Sequence, residues 1–226
     1  MKKILIIILT FILCLSTTAC LKQSDASKFK KEYESLNGNK YREVSISKEN
    51  PFVYQTAEEL SERIDNKETF VVFFGYAEDP WCRTMVEQLI KSAKDNNIEK
   101  IYYVNVRDIR DEFELSEAEG PVQTSTGTEG YNKLLDQLQN VLKDYYVLNS
   151  SGDKVNTKEK RIYTPNVVAV VNGTAEKLVE GISTKLEDPY GKLTDEMLKE
   201  SYNSFKCIWE CYQNDANMCQ KNTCQA

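Results

Sequence analysis

A chain of 226 residues is long enough for one well-buried domain with appendages. Its 35 acids against 29 bases give a formal charge of −6, and with no basic block this argues against nucleic acid or an anionic lipid surface as a partner. The chain contains no histidine, so Ser-His and Cys-His catalysis and every His-ligated metal site drop out.

The opening segment, MKKILIIILTFILCLSTTAC, places Lys2 and Lys3 before an apolar run from Ile4 to Leu15 and small residues before Cys20. That is the pattern of an export signal over residues 1–19. The apolar run has 12 residues, short of the ~20 that a spanning helix needs, so no transmembrane helix is expected in the mature chain. Removing residues 1–19 takes away two lysines and no acid, which leaves a charge of −8. STTAC resembles a bacterial lipobox, departing from it at Thr17, where the family usually has Leu. The resemblance implies that Cys20 becomes an acylated first residue, anchoring the protein to the lipid bilayer at the extracytoplasmic face of the cell membrane. An ordinary signal peptide cut nearby is the competing reading. Residues 20–42 are polar, lack a sustained apolar stripe, and read as a lipidated tether.

Val44 to Ile46 is a candidate short strand. FVYQTAEELSERIDN reads as a brief strand and then a helix capped near Thr56, with Leu60 and Ile64 on its buried face. ETFVVFFGY is dense in β-branched and aromatic residues, as in a central strand buried on both faces. After Pro80, the spacing of Val86, Leu89, Ile90 and Ala93 predicts a helix ending near residues 95–97, and KIYYVNV is the next strand. Strand, helix and strand of this length make a βαβ unit with parallel strands.

Residues 107–162 form a long insertion. Its first part is acidic and rich in Ser, Thr and Gly; its second, GYNKLLDQLQNVLKDYYVL, predicts a helix with Leu134, Leu138, Val141 and Tyr145 along one side, then a turn at NSSGD. RIYTPNVVAVVNGTAEKLVEG reads as a hairpin turning at Asn172-Gly173. A last helix starts near Thr194 and carries Leu198, Tyr202, Phe205, Trp209 and Tyr212. The order is that of an α/β fold, a central mixed sheet with helices on both faces.

Over residues 43–206 the chain resembles the thioredoxin-like superfamily. VVFFGYAEDPWCRTMVEQL aligns without a gap to the family's strand, Cys-x-x-Cys turn and helix, with Asp79 at the first cysteine, Pro80 and Trp81 between, and Cys82 at the second. Thr164-Pro165 matches its cis-proline, and the hairpin and last helix match its end. In that family the first cysteine is the nucleophile, its thiolate favoured by the helix N-terminus, and the second resolves the mixed disulfide. A carboxylate cannot exchange thiols. The family's buried acid on the preceding strand is here Phe73. The resemblance therefore implies a redox-impaired binding or accessory protein, using a groove around Trp81, Tyr76, Thr164 and Pro165 to take an exported protein or peptide. The alternatives are a thiol-disulfide oxidoreductase acting through Cys82, alone or by exchange with the C-terminal cysteines, and a scaffold presenting the insertion.

Residues 207–226 are a cysteine-rich tail. Cys207 lies nine residues after Leu198, a rotation of about 900° on a continuous helix, so it should face away from the core with Cys211 one turn on. A tail folding back antiparallel would pair Cys211 with Cys219 and Cys207 with Cys224, one of three connectivities. Four thiolates could instead hold zinc, but export to an oxidising compartment favours disulfides, and no metal or cofactor is expected.

Overall fold

A computed structural model describes residues 23–116, 120–214 and 219. A first helix, α1 (Asp25–Glu34), precedes a strand–helix–strand–helix–strand series: β1 (Phe52–Tyr54), α2 (Ala57–Asp65), β2 (Phe70–Gly75), α3 (Pro80–Asp95) and β3 (Ile101–Asn105). The insertion follows as a hairpin, β4 (Glu112–Ser116) and β5 (Gly120–Ser125), a helix α4 (Glu129–Leu138), and a second hairpin, β6 (Lys143–Leu148) and β7 (Lys154–Arg161). Then come β8 (Asn166–Val171), β9 (Thr174–Val179), α5 (Asp195–Ser204) and α6 (Lys206–Gln213).

Five strands form one mixed sheet in the order β1-β3-β2-β8-β9. β1, β3 and β2 are parallel; β8 and β9 run antiparallel to their neighbours. Alternation along each strand explains why the sheet is buried on both sides. Val71, Phe73, Ile101, Tyr103, Val167 and Ala169 meet α1, α3 and α6 on one face. Phe70, Val72, Phe74, Tyr102, Val104 and Val168 meet α2 and α4 on the other. This is a thioredoxin-like architecture in the broad sense.

Local signals set several boundaries. Thr56 and Glu59 form a reciprocal capping box at α2, and Thr194 caps α5. Asn172 and Gly173 both have positive φ (51° and 75°), the geometry of a two-residue hairpin turn. α3 closes at Asn96, within the predicted 95–97.

Four expectations need correction. The predicted tether joins the folded body from Asp25 on, because Phe29 and Tyr33, four residues apart on α1, are fully buried. Two apolar side chains on one turn-spaced face suffice to dock a helix whose other positions are polar. Val44 to Ile46 is no strand: its backbone groups are satisfied by side chains instead, Val44 by Asn37, Ser45 by Glu87 and Ile46 by Glu34. The insertion helix ends at Leu138, and Tyr145 lies in β6, where the aromatic and β-branched run Tyr145-Tyr146-Val147 pairs with β7. Finally, the C-terminal helix is interrupted at Phe205, which closes α5 and opens α6. With the helical phase broken there, Cys207 and Cys211 are buried rather than outward, and buried Cys219 packs into the same cluster.

The disulfide Cys211–Cys219 is present. Cys207 is also disulfide-bonded. Its predicted partner, Cys224, lies outside the described residues, as do the predicted signal segment and Cys20. Among the described residues no helix is long and apolar enough to cross a membrane.

Helix α1 yields a test. The Phe29 ring stacks on Phe52 and Tyr33 with centroids 3.9 and 4.4 Å away and meets Tyr103 edge-on. Phe29→Ala is expected to lower the unfolding free energy by about 3–5 kcal/mol in urea titration. A tether residue would leave it unchanged.

Candidate functional site

The site forms where β2 ends and α3 begins. Asp79 is the N-cap residue of α3 and Pro80 its first residue, a pair that suits a helix start because proline has no N–H to satisfy. One Asp79 carboxylate oxygen, Oδ1, accepts from the backbone N–H groups of Trp81 (2.7 Å) and Cys82 (3.0 Å). The other, Oδ2, accepts from the Thr164 hydroxyl at 2.5 Å. Thr164-Pro165 is a cis peptide bond, so the carboxylate ties the cis-proline loop to the helix. Asp79 is only 6% exposed.

Cys82 stands one residue beyond Trp81 and is fully buried. Its sulfur packs over Gly75 at the end of β2, where an added Cβ would come within 2.8 Å of Sγ and within 2.6 Å of the Phe73 ring. Burial pushes the Cys82 thiol well above its ordinary range, and the Asp79 charge pushes it the same way. It is the free cysteine among the described residues.

The acid that would move protons has no counterpart here. Phe73 is fully buried and stacks on Tyr103 at 5.5 Å. The hydroxyls of Tyr103 and Tyr54 both donate to Glu32 of α1, at the rim of this aromatic cluster.

Arg83, next along α3, carries no sequence signal of importance, yet it is 1% exposed and organises the ground under the site. Its guanidinium donates to the carbonyls of Tyr33, Arg42 and Ala77 and to Asn37 Oδ1, at 2.6–3.1 Å. Arg42 in turn donates to the carbonyls of Pro189 and Gly191. Two arginines thus bind the 35–42 and 187–191 loops to α3 through backbone oxygens. Their signal lies in neither periodicity nor spacing.

Beside the carboxylate opens a groove of ≈ 660 Å³. Half-buried Trp81 and Thr164 line one side, Tyr163 and Lys143 its insertion end, and residues 178–184 the opposite wall. At the rim Lys143 pairs with Glu180 at 2.6 Å. Of the predicted groove residues, the structure brings Trp81 and Thr164 to this surface. Pro165 is buried behind Thr164, and Tyr76 lies elsewhere, packed against the α2/α4 core with Arg110 over its ring. Lys143 and Glu180 escaped the sequence reading because the chain brings them in from the insertion and from beyond β9, and Tyr163, next to Thr164, because nothing in the residue itself marks it as facing the groove. Among the described residues no group of three metal-ligating side chains occurs.

Comparison with protein-family models, with curated proteins and with solved structures finds no match.

The buried thiol predicts a pH dependence of known sign. Its folded pKa exceeds the unfolded value near 8.5, so above that pH the unfolded chain has fewer protons bound than the folded one and stability falls. The stabilisation is whole below pH ~8.5 and is lost by up to about 1.4 kcal/mol per pH unit above it. Urea midpoints from pH 7 to 10, compared between the parent protein and Cys82→Ala, are expected to show a steeper alkaline fall in the parent. Equal slopes would mean that the thiol ionises as freely folded as unfolded.

Proposed function

We propose that this protein is an extracytoplasmic, membrane-anchored member of the thioredoxin-like superfamily that binds an exported protein or peptide in the Trp81–Thr164 groove without turning it over. The single observation that carries this reading is the Asp79 carboxylate. It stands where a thioredoxin-like nucleophile would stand, and it is occupied by three donors that hold the helix start and the cis-proline loop in place.

An enzyme of this class needs an exposed thiolate at that position. The neighbouring sulfur, Cys82, is buried and held protonated. The groove needs no thiol to accept a chain. It offers an aromatic face at Trp81, apolar wall from Leu178 and Val179, and polar groups at Tyr163, Thr164 and Ser183, a mixture suited to polypeptide. Anchoring rests on the Cys20 lipobox, which would hold the groove near substrates or partners emerging at the membrane.

Binding has an intrinsic reporter. Of the two tryptophans, Trp209 is 1% exposed and donates its Nε1–H to Ser92, whereas Trp81 lines the groove. Titration with a library of unfolded, alkylated polypeptides is expected to change Trp81 fluorescence, and Trp81→Phe to abolish the change. Insulin-disulfide reduction is expected to be absent in the parent protein and in Cys82→Ser but gained in Asp79→Cys, which places a second thiol three residues before Cys82 in exchange for the carboxylate contacts. Activity in the parent that depends on Cys82 would replace the binding reading with an oxidoreductase.

Anchoring is tested separately. Metabolic labelling with a radioactive fatty acid is expected to mark the parent chain, and Cys20→Ala is expected to lose the label and leave the membrane fraction. A membrane-bound, unlabelled parent would point to a retained signal segment.

A further inference from the structure

The groove wall that faces Trp81 has no sheet to hold it. β9 ends at Val179, and residues 181–186, most of which line the groove, belong to no helix or strand. A turn bond from the Leu186 N–H to the Ser183 carbonyl (3.1 Å) is local to the segment. Its hydrogen-bonded attachment comes from side chains of α5. The Ser201 hydroxyl donates to the Gly181 carbonyl at 2.6 Å. Glu200, one residue earlier, takes the other end of the wall: its Oε2 accepts from the Ser183 hydroxyl (2.6 Å), and its Oε1 from both the N–H (2.9 Å) and the hydroxyl (2.7 Å) of Thr184.

Bonds to an ionised acceptor are roughly twice as strong as neutral ones, so the three on Glu200 outweigh the single Ser201 contact. They hold the Glu200 carboxyl below its ordinary range, the Ser183 hydroxyl first among the causes and the Thr184 groups next. Ser183 is only 4% exposed, so losing the carboxylate would leave a buried hydroxyl without its acceptor. Glu200 itself does not line the groove. It stands behind the wall, on a helix that packs against α3 and is bonded to it by the Tyr202 hydroxyl, which donates to Asp95 (3.0 Å). Trp81, in the first turn of α3, and Thr164, bonded to Asp79, form the opposite side. Both walls are thus referred to one helix.

We propose that Glu200 is the positioning residue of the groove: it touches no ligand and, through Ser183 and Thr184, sets the wall against which a polypeptide entering beside Trp81 lies. The inference rests on the binding reading of the groove and deepens it by naming what fixes the groove's width. A wall already in place saves the bound chain the cost of ordering it at the moment of binding. Glu196, one turn earlier on α5, gives the contrast. It pairs with the side chain of Lys185 at 2.5 Å, and both side chains are more than half exposed. That contact leaves the backbone of the wall alone.

Two measurements on the full chain in a non-ionic detergent test it, each on the parent, Glu200→Ala, Glu200→Gln and Glu196→Ala. In amide hydrogen exchange read by mass spectrometry, Glu200→Ala is expected to speed exchange at residues 181–186 while β8 and β9 keep the parent rates. Glu200→Gln keeps a carbonyl oxygen for the Thr184 groups and should stay near the parent, as should Glu196→Ala. In titration with unfolded, alkylated polypeptides read by Trp81 fluorescence, Glu200→Ala should raise the dissociation constant about tenfold, Glu200→Gln by no more than about threefold, and Glu196→Ala not at all. Unchanged exchange at 181–186 in Glu200→Ala overturns the proposal, and so does an affinity equal to the parent's. Acceleration that spreads through β8 and β9 also overturns it, because that marks a residue that only stabilises the fold. A parent that binds no polypeptide refutes the groove reading alone, since exchange then still decides whether Glu200 fixes the wall.

Discussion

The Asp79 carboxylate joins three parts of the molecule that the rest of the site depends on. It satisfies the first amide groups of α3, which a helix cannot satisfy internally, and it takes the Thr164 hydroxyl from the cis-proline loop. Hydrogen bonds to an ionised acceptor contribute about 1.5–3 kcal/mol each, so a shared carboxylate holds this junction more firmly than a thiol could. The same three contacts remove the group from chemistry. An anion at a helix N-terminus is electrostatically welcome whether it is sulfur or oxygen, but only sulfur can pass electrons to a disulfide.

The surroundings agree with that substitution. A reactive cysteine pair needs a route for protons, and here β2 supplies Phe73, stacked on Tyr103 and tilted against Phe52, two rings that Phe29 of α1 also meets. Helix α1 thus closes the face of the sheet behind the thiol, and Arg83 fastens the end of that helix to α3 by donating to the Tyr33 carbonyl. An arginine buried without a carboxylate is costly to place unless its N–H groups find oxygens, and four acceptors take bonds from Nε, Nη1 and Nη2. Rigid support beneath the groove is therefore built from backbone carbonyls, which any sequence provides, gathered by two arginines, Arg42 and Arg83.

That asymmetry explains what the sequence discloses. The central strand, the α3 start, the Asn172-Gly173 turn and the Asp79/Thr164 juxtaposition rest on local rules: alternation, capping and turn chemistry. They are legible at ranges of a few residues, or through a resemblance that supplies the long-range pairing. What escaped depends on contacts across the chain. Phe29 and Tyr33 mark a docked helix only once the aromatic cluster awaiting them is known. The break at Phe205 leaves no proline or glycine to announce it, and it turns Cys207 and Cys211 inward by changing phase rather than composition. Tyr145 fits a helical stripe and a strand equally well; pairing with β7 decides between them. Lys143 and Glu180 reach the groove from segments 37 residues apart and neither is unusual where it stands.

The competing roles of Cys82 can be separated by asking what must move. To attack a disulfide, its sulfur has to reach solvent, which means opening the first turn of α3, and that turn is closed by the Asp79 bonds to Trp81 and Cys82. The thiol must then ionise a short distance from a carboxylate that already disfavours the thiolate. Both costs fall before any partner contact is gained. A polypeptide entering beside Trp81 meets neither, because the groove stands open with α3 intact and the Asp79–Thr164 bond behind its wall. On the proposed binding reading, the Asp79–Thr164 contact beside the closed first turn of α3 is also the one that shapes the groove wall, and weakening it to expose the sulfur would loosen the loop on which the groove is built.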